Sequence, residues 1–347
     1  MNSKAKGYFL GALGAASYGT NPIFAIPLYN CGMDSESVLF FRYLLAIPVI
    51  ALMMKARGRS FALKKGDIVP ALAMGILMAL SSYTLFVSYK YMGAGIASTL
   101  LFLYPIMVAV IMSVFFKEKA GLVTAISIVL ALSGVFLISF KEGGGMVSLT
   151  GTMFVFLSAL LYAIYLVYVN RSPRLNVMPT LKLTFYVILS GTFMFGLMTL
   201  LGNGIKMPES GMMWTNVVCL AVLPTALSFY CTTQAITLIG STPTAILGAI
   251  EPLTAVFLGV IILGEPMTMR IAWGFLLVIS GVSLIVARGN ISATLVRIRK
   301  MFPKKIRKRH HICLALNVEI IIIQKVTITL HILIMIYCLL GFIGPIH

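Results

Sequence analysis

Ten stretches of about 20 predominantly apolar residues follow one another along the chain, and that succession leaves few folds open. They lie near residues 8–28, 37–54, 68–89, 94–116, 122–140, 151–170, 180–201, 213–236, 242–263 and 271–287. Their lengths fall within the range of about 17–25 residues that bilayer-spanning helices use. Of the 347 residues, 60% are hydrophobic and 10% are charged, whereas a soluble domain carries about 25% charged residues. So little charge cannot cover a soluble surface, so apolar side chains must face lipid as well as each other. The expected fold is an all-α integral membrane protein with ten transmembrane helices, because helices satisfy their peptide groups internally where no water is available.

The connections are short, so neighbouring spans are expected to be antiparallel. Charge then sets the orientation. Lys4 and Lys6 precede span 1; Lys55, Arg57, Arg59, Lys64 and Lys65 separate spans 2 and 3; Lys117 and Lys119 follow span 4; Arg171 and Arg174 follow span 6. The opposite side holds one basic residue per loop at Lys90, Lys141, Lys206 and Arg270. The positive-inside rule puts the N-terminus and the end of span 10 in the cytoplasm. Residues 1–30 lack an A-x-A cleavage site and contain Asn21-Pro22, so they read as the first span and not as a signal peptide. Basic cytoplasmic loops without targeting sequence point to a bacterial inner membrane. Much of the net charge of +18 lies between Arg297 and Arg309. That run is expected to bind anionic lipid and not nucleic acid, because it is tethered at a bilayer surface.

The spans also repeat. Residues 66–140 align on 213–287 at a constant shift of 147, without a gap. Ala79, Leu80, Ser81 and Tyr83 meet Ala226, Leu227, Ser228 and Tyr230. Gly93 meets Gly240, Pro105 meets Pro252, Glu118 meets Glu265, and Ser133-Gly134 meets Ser280-Gly281. A shift of 144 carries Leu13, Ala15 and Tyr18 onto Leu157, Ala159 and Tyr162. The units are residues 7–140 and 151–287. Five spans per unit is an odd number, so the second copy enters the bilayer inverted, a 5+5 arrangement common among secondary transporters. A basic segment (288–311) and a hydrophobic tail (312–347) follow. The tail's cleanest part, Val326–Ile343, could just span as an extra C-terminal helix.

The segments Leu103-Tyr104-Pro105 to Phe116-Lys117-Glu118 and Ile250-Glu251-Pro252 to Leu263-Gly264-Glu265 resemble the EamA repeat of the drug/metabolite transporter superfamily. Ser133-Gly134 and Ser280-Gly281 on the following spans fit the same pattern. The resemblance covers roughly residues 7–287 and departs after Arg288. It implies ten helices around a central cavity, and a carrier or exporter of amino acids, metabolites or drugs. It does not specify a substrate.

Glu251 is the sharpest candidate. It lies about nine residues, or about 14 Å, into span 9, where burying a carboxylate costs at least ~2.5 kcal/mol. Such a group serves a proton or cationic substrate, or stays protonated and bonds a neighbouring helix. Its repeat mate is the neutral Tyr104. Pro105, Pro252 and Pro22 mark kinks or hinges, and Asn21 and Tyr18 flank the last of them beside Ser17 and Thr20. Tyr83, Tyr230 and Gln234 are polar groups inside spans 3 and 8. The two tyrosines are repeat mates, expected to grip a ligand at matching depth. Tyr162 and Tyr165 are weaker candidates. Arg42 reads more readily as a snorkelling anchor than as a site residue. Glu118 and Glu265, at helix ends, read as surface partners of Lys117, Lys119 or Arg270. Gly7, Gly11, Ala15 and Gly19 form a small-residue stripe for close helix packing.

No cofactor is expected. His310, His311, His331 and His347 all lie in the tail, and Cys31, Cys219, Cys231, Cys313 and Cys338 show no metal or disulfide spacing. Gly93-Ala94-Gly95 lacks the strand and the third glycine of a nucleotide fingerprint. A membrane enzyme would need a nucleophile or base cluster that the body lacks. The expected function is a secondary transporter or exporter of small metabolites by alternating access, with or without proton coupling, and a non-transporting sensor or scaffold is the alternative. Oligomeric state stays open.

Overall fold

The computed structural model describes residues 3–116, 122–139, 148–175, 177–202, 204–239, 244 and 247–284. Glu118, Lys117, Lys119, the basic segment 288–311 and the tail 312–347 lie outside the described residues. The described residues are helical and include no strand.

The helices, in order, are α1 (Ser3–Gly19), α2 (Asn21–Asn30), α3 (Ser35–Ala56), α4 (Lys65–Ser88), α5 (Ala94–Leu101), α6 (Tyr104–Phe116) and α7 (Leu122–Ser139). They continue as α8 (Leu149–Arg171), α9 (Thr180–Leu201), α10 (Gly211–Ala221), a π-helical stretch (Val222–Leu227), α11 (Ser228–Ile239), α12 (Ile250–Leu263) and α13 (Met269–Leu284). Six helical segments are long and apolar enough to cross a membrane, among them Ala94–Phe116, which combines α5 and α6, and Gly211–Ile239, which combines α10 and α11. Shorter apolar helices supplement them at Ala125–Ile138, Ile250–Leu263 and Met269–Leu284. Phe115, Phe193, Leu200 and Val69 are exposed. Apolar side chains on the outer faces of apolar helices mark a multi-pass membrane protein.

Caps mark several helix starts. Asp34 accepts a hydrogen bond from the Ser37 N–H at 2.8 Å, which satisfies one of the free donors at the start of α3. Ser148 and Ser210 do the same for Gly151 and Met213, both at 3.2 Å. The loops sort by charge. Arg174 donates to the Gly66 carbonyl at 2.8 Å, and Lys182 to that of Ala62, so the two basic loops share one end. At the other end Lys206 donates to the Gly32 carbonyl at 3.1 Å and lies 3.7 Å from Asp34.

Small residues set the closest approaches. The α1 stripe faces α11, where a Cβ on Gly7 would lie 2.5 Å from Ile239 and one on Gly14 2.8 Å from Thr232. Between α7 and α13 the contact is reciprocal. A Cβ on Gly134 would lie 2.5 Å from the Gly274 carbonyl and 2.9 Å from the Val278 nitrogen. One on Gly281 would lie 2.7 Å from the Ser127 carbonyl and 3.0 Å from the Ala131 nitrogen. Gly134, Ser127 and Ala131 are the mates of Gly281, Gly274 and Val278 at the shift of 147. Each copy therefore gives the other the same contact it receives.

Candidate functional site

Three helices start anew at proline-bearing turns. Beyond the break at Thr20, α2 begins at Asn21 with Pro22 in its first turn. Beyond Leu101, α6 begins at Tyr104-Pro105. The first turn of α12 contains Glu251 and Pro252. Proline has no N–H to continue a helix, and its fixed φ suits the first turn of a new one. The expected kinks at these prolines are thus full interruptions in spans 1 and 4.

The interruptions converge. A Cβ on Gly19 would lie 2.5 Å from the Glu251 carbonyl, and α12 packs against α1, α2 and α5. Tyr18 lies within electrostatic reach of Glu251 and Arg42, and Tyr104 within reach of Glu251 and Tyr18. Tyr104 meets Tyr162 edge-on at 4.7 Å between ring centroids, and Tyr162 stacks on Tyr165 at 6.0 Å. Tyr18 and Tyr162 are mates, as are Glu251 and Tyr104. The mates thus gather in matching pairs, Tyr18 within reach of Glu251 and Tyr162 against Tyr104, and one of the four positions carries a carboxylate.

Two polar groups here have no partner among the described residues. The Glu251 side chain is half-buried and has no hydrogen bond or ion pair among the described residues. Asn21 is buried; its Nδ2 donates to the Tyr18 carbonyl at 2.9 Å, while its Oδ1 is without a partner. Unsatisfied polar atoms are costly away from water. Their clustering at helix interruptions makes this the candidate site for a ligand, a proton or water.

Arg42 differs from the sequence expectation. It does not snorkel: it is 4% exposed, and its Nε donates to Thr225 Oγ1 at 3.0 Å. Its guanidinium carbon lies 5.2 Å from the centroid of the Phe86 ring. The cause lies in Pro224, which has no N–H for the Leu220 carbonyl. The helix widens into its π-helical stretch there, and the Thr225 hydroxyl donates to Leu220 O at 3.0 Å while accepting from Arg42. The sequence signal was Pro224 followed by Thr225 inside an apolar span.

Tyr83, Tyr230 and Gln234 lie apart from the cluster. Tyr83 donates to Glu36 at 2.7 Å, near the start of α3. The Tyr230 ring lies 4.8 Å from Arg57, just past the end of α3, and the Gln234 amide, carbonyl turned inward, also accepts from Arg57. Glu36 and Arg57 are about 30 Å apart along α3. The tyrosines therefore do not share a depth, as copies inserted in opposite senses would require.

Glu265 is not a surface partner of Arg270. Its carboxylate accepts from the Ala94 N–H and, at 3.0 Å, from the Gly95 N–H, capping α5 from the other half of the chain. Gly264, with φ of 67°, turns the backbone so that Glu265 N donates to the Gly259 carbonyl at 3.0 Å. The carboxylate sits in a cradle of glycines: a Cβ on Gly93, Gly95 or Gly259 would lie 3.1, 3.2 or 2.8 Å from it. A cavity of about 560 Å³ adjoins it, lined by Tyr91, Gly93, Val256, Glu265 and Arg270.

The EamA-like transporter family model matches this chain twice, over residues 5–140 and 149–287. An uncharacterized transporter of Bacillus subtilis, YdfC, is 25% identical over 265 residues, covering 74% of this chain and 85% of that protein. An uncharacterized transporter of Synechocystis is 28% identical over 264 residues, covering 72% and 78%. A solved crystal structure matches the fold with a TM-score of 0.60 at 18% identity, covering 85% of this chain and 98% of the other.

Proposed function

The chain belongs to the EamA-like transporter family, and on that premise we propose that it is a secondary carrier of small metabolites, amino acids or drug-like compounds working by alternating access. Ten spans in two inverted units of five form the working scaffold. The reciprocal contact of Gly134 and Gly281 supports this arrangement, because a two-fold relation makes each copy receive the contact it gives. Two units that exchange conformations turn a site between them from one side of the bilayer to the other. The basic loops face the cytoplasm of a bacterial inner membrane, and the segment 288–311 lies on anionic lipid.

The observation that carries the reading is the Glu251 carboxylate, without a partner among the described residues, at the meeting of the helix interruptions near Tyr18 and Tyr104. A carboxylate that none of the described residues neutralises is free to take a proton or a cationic group. Tyr18, Tyr104, Tyr162 and Asn21 supply rings and hydrogen-bonding groups around it. Pro22, Pro105 and Pro252 fix the interruptions that let the two halves rearrange. Tyr83, Tyr230 and Gln234 sit toward the two ends of the pathway.

Flux of an amino-acid and metabolite panel into proteoliposomes, with and without a pH gradient, tests this reading. Gradient-driven flux in wild type that is lost in Glu251→Gln supports a proton-coupled carrier. Equal flux in the variant assigns Glu251 to packing and makes the protein a facilitator. No flux of any compound through folded protein removes the carrier reading and favours a sensor or scaffold.

A further inference from the structure

We infer that Arg42 is the ligand for an anionic group, a carboxylate or a phosphate, on the molecule that occupies the central site. The inference rests on the carrier reading only for when that molecule passes, since binding can be read without transport.

Arg42 lies seven residues, about 10 Å, into α3 from Ser35. It is nine-tenths buried, yet it forms no ion pair among the described residues. Its surroundings are neutral: Thr225 on Nε, and the faces of Phe86 and Tyr43 at 5.2 and 6.0 Å. The nearby carboxylates are occupied or separate. Glu36 accepts from Tyr83, Asp34 caps α3 and lies 3.7 Å from Lys206, and Glu251 is not paired with the guanidinium.

A buried guanidinium with no counter-anion among the described residues is unusual in a bilayer-spanning core, because such groups pair with each other or face a cavity. This one is held firmly. The Thr225 contact, created by the π-helical widening, fixes Nε, and the aromatic faces fix the plane of the group. The guanidinium also lies within hydrogen-bonding reach of the Tyr18 hydroxyl, and Tyr18 in turn lies within electrostatic reach of Glu251. A guanidinium plane held in place presents parallel N–H groups that match a carboxylate or phosphate in a bidentate manner. Arg42 and Glu251, opposite charges with no ion pair among the described residues, thus both lie close to Tyr18. A bound molecule bearing an anionic group satisfies the first and leaves the second for a proton or a donor group.

The test is the thermal unfolding midpoint of the purified full chain in detergent. It is titrated with straight-chain monocarboxylates from acetate to hexanoate, the matching amides, and inorganic phosphate. The expected result is a rise of about 2 °C or more with at least one anion and none with its amide. That rise is lost in Arg42→Gln and weakened in Arg42→Lys. Carboxylates and phosphate, tested separately, identify which oxyanion the site prefers. Should Arg42→Gln fail to fold, phenylglyoxal modification of Arg42 in wild type, read by peptide mass, is expected to slow in the stabilising anion. No anion-specific stabilisation of wild type, or an equal rise in Arg42→Gln, overturns the assignment. The carrier reading fails separately, through absence of flux.

Discussion

Replacing Glu265 by Gln is expected to loosen the start of α5. In the native chain one carboxylate accepts from two backbone donors, Ala94 N–H and Gly95 N–H. Gln offers a single carbonyl oxygen and turns its NH₂ toward the second donor. One charge-assisted hydrogen bond is lost, about 1.5–3 kcal/mol, and the favourable charge at a helix N-terminus is lost too, about 0.3–1 kcal/mol. Glu265 is half-buried, so solvent screens part of this, and a net value of about 2 kcal/mol is reasonable. At about 1.4 kcal/mol per decade, local opening becomes roughly 30-fold more frequent. Amide hydrogen exchange read by mass spectrometry on peptides covering 94–101 measures this directly. Faster exchange confined to the start of α5 is expected, with a larger effect for Glu265→Ala. Unchanged exchange in folded Glu265→Gln would refute the cap as an energetic contact. It would leave the glycine cradle as close packing alone.

Three further outcomes follow from the contacts. Gly134→Ala places a methyl group against backbone atoms of α13 that cannot swing aside, and is expected to cost about 1–3 kcal/mol; a lowered thermal midpoint checks it, and an unchanged one contradicts the reciprocal contact. Thr225→Val keeps the shape but leaves Arg42 Nε and the Leu220 carbonyl without their partner, and should cost about 1–3 kcal/mol by the same measurement. Tyr83→Phe removes the hydrogen bond to Glu36 at one end of α3 and should cost about 1 kcal/mol while preserving uptake; loss of uptake in a folded protein would put Tyr83 back among the substrate contacts.

Much of the centre was legible in the sequence, because one register carried it. The shifts of 144 and 147 make Tyr18 the mate of Tyr162 and Tyr104 the mate of Glu251. Proline at 22, 105 and 252 identified the interrupted turns on which these side chains sit. The same register misled where depth was concerned. Mates at the shift of 147 share a position along the repeat but need not share a height, and Tyr83 and Tyr230 lie at opposite ends of α3. Arg42 was misread because arginines in apolar helices usually reach for the interface. Its burial depends on which face of α3 meets the widened turn at Pro224, a tertiary fact. Glu265 looked like a surface charge because its partners are backbone N–H groups, which leave no mark in a sequence. The glycines that make room for it are spread over both halves.

The claim that the meeting of the helix interruptions is a pathway used from both sides is tested most directly by labelling Tyr104→Cys. The background should lack the native cysteines, and a membrane-impermeant maleimide would be applied from either side of oriented vesicles. Modification from both sides, with a transported compound shifting the balance between them, is the expected result. Modification from one side alone, whatever compound is present, would contradict alternating access through this site.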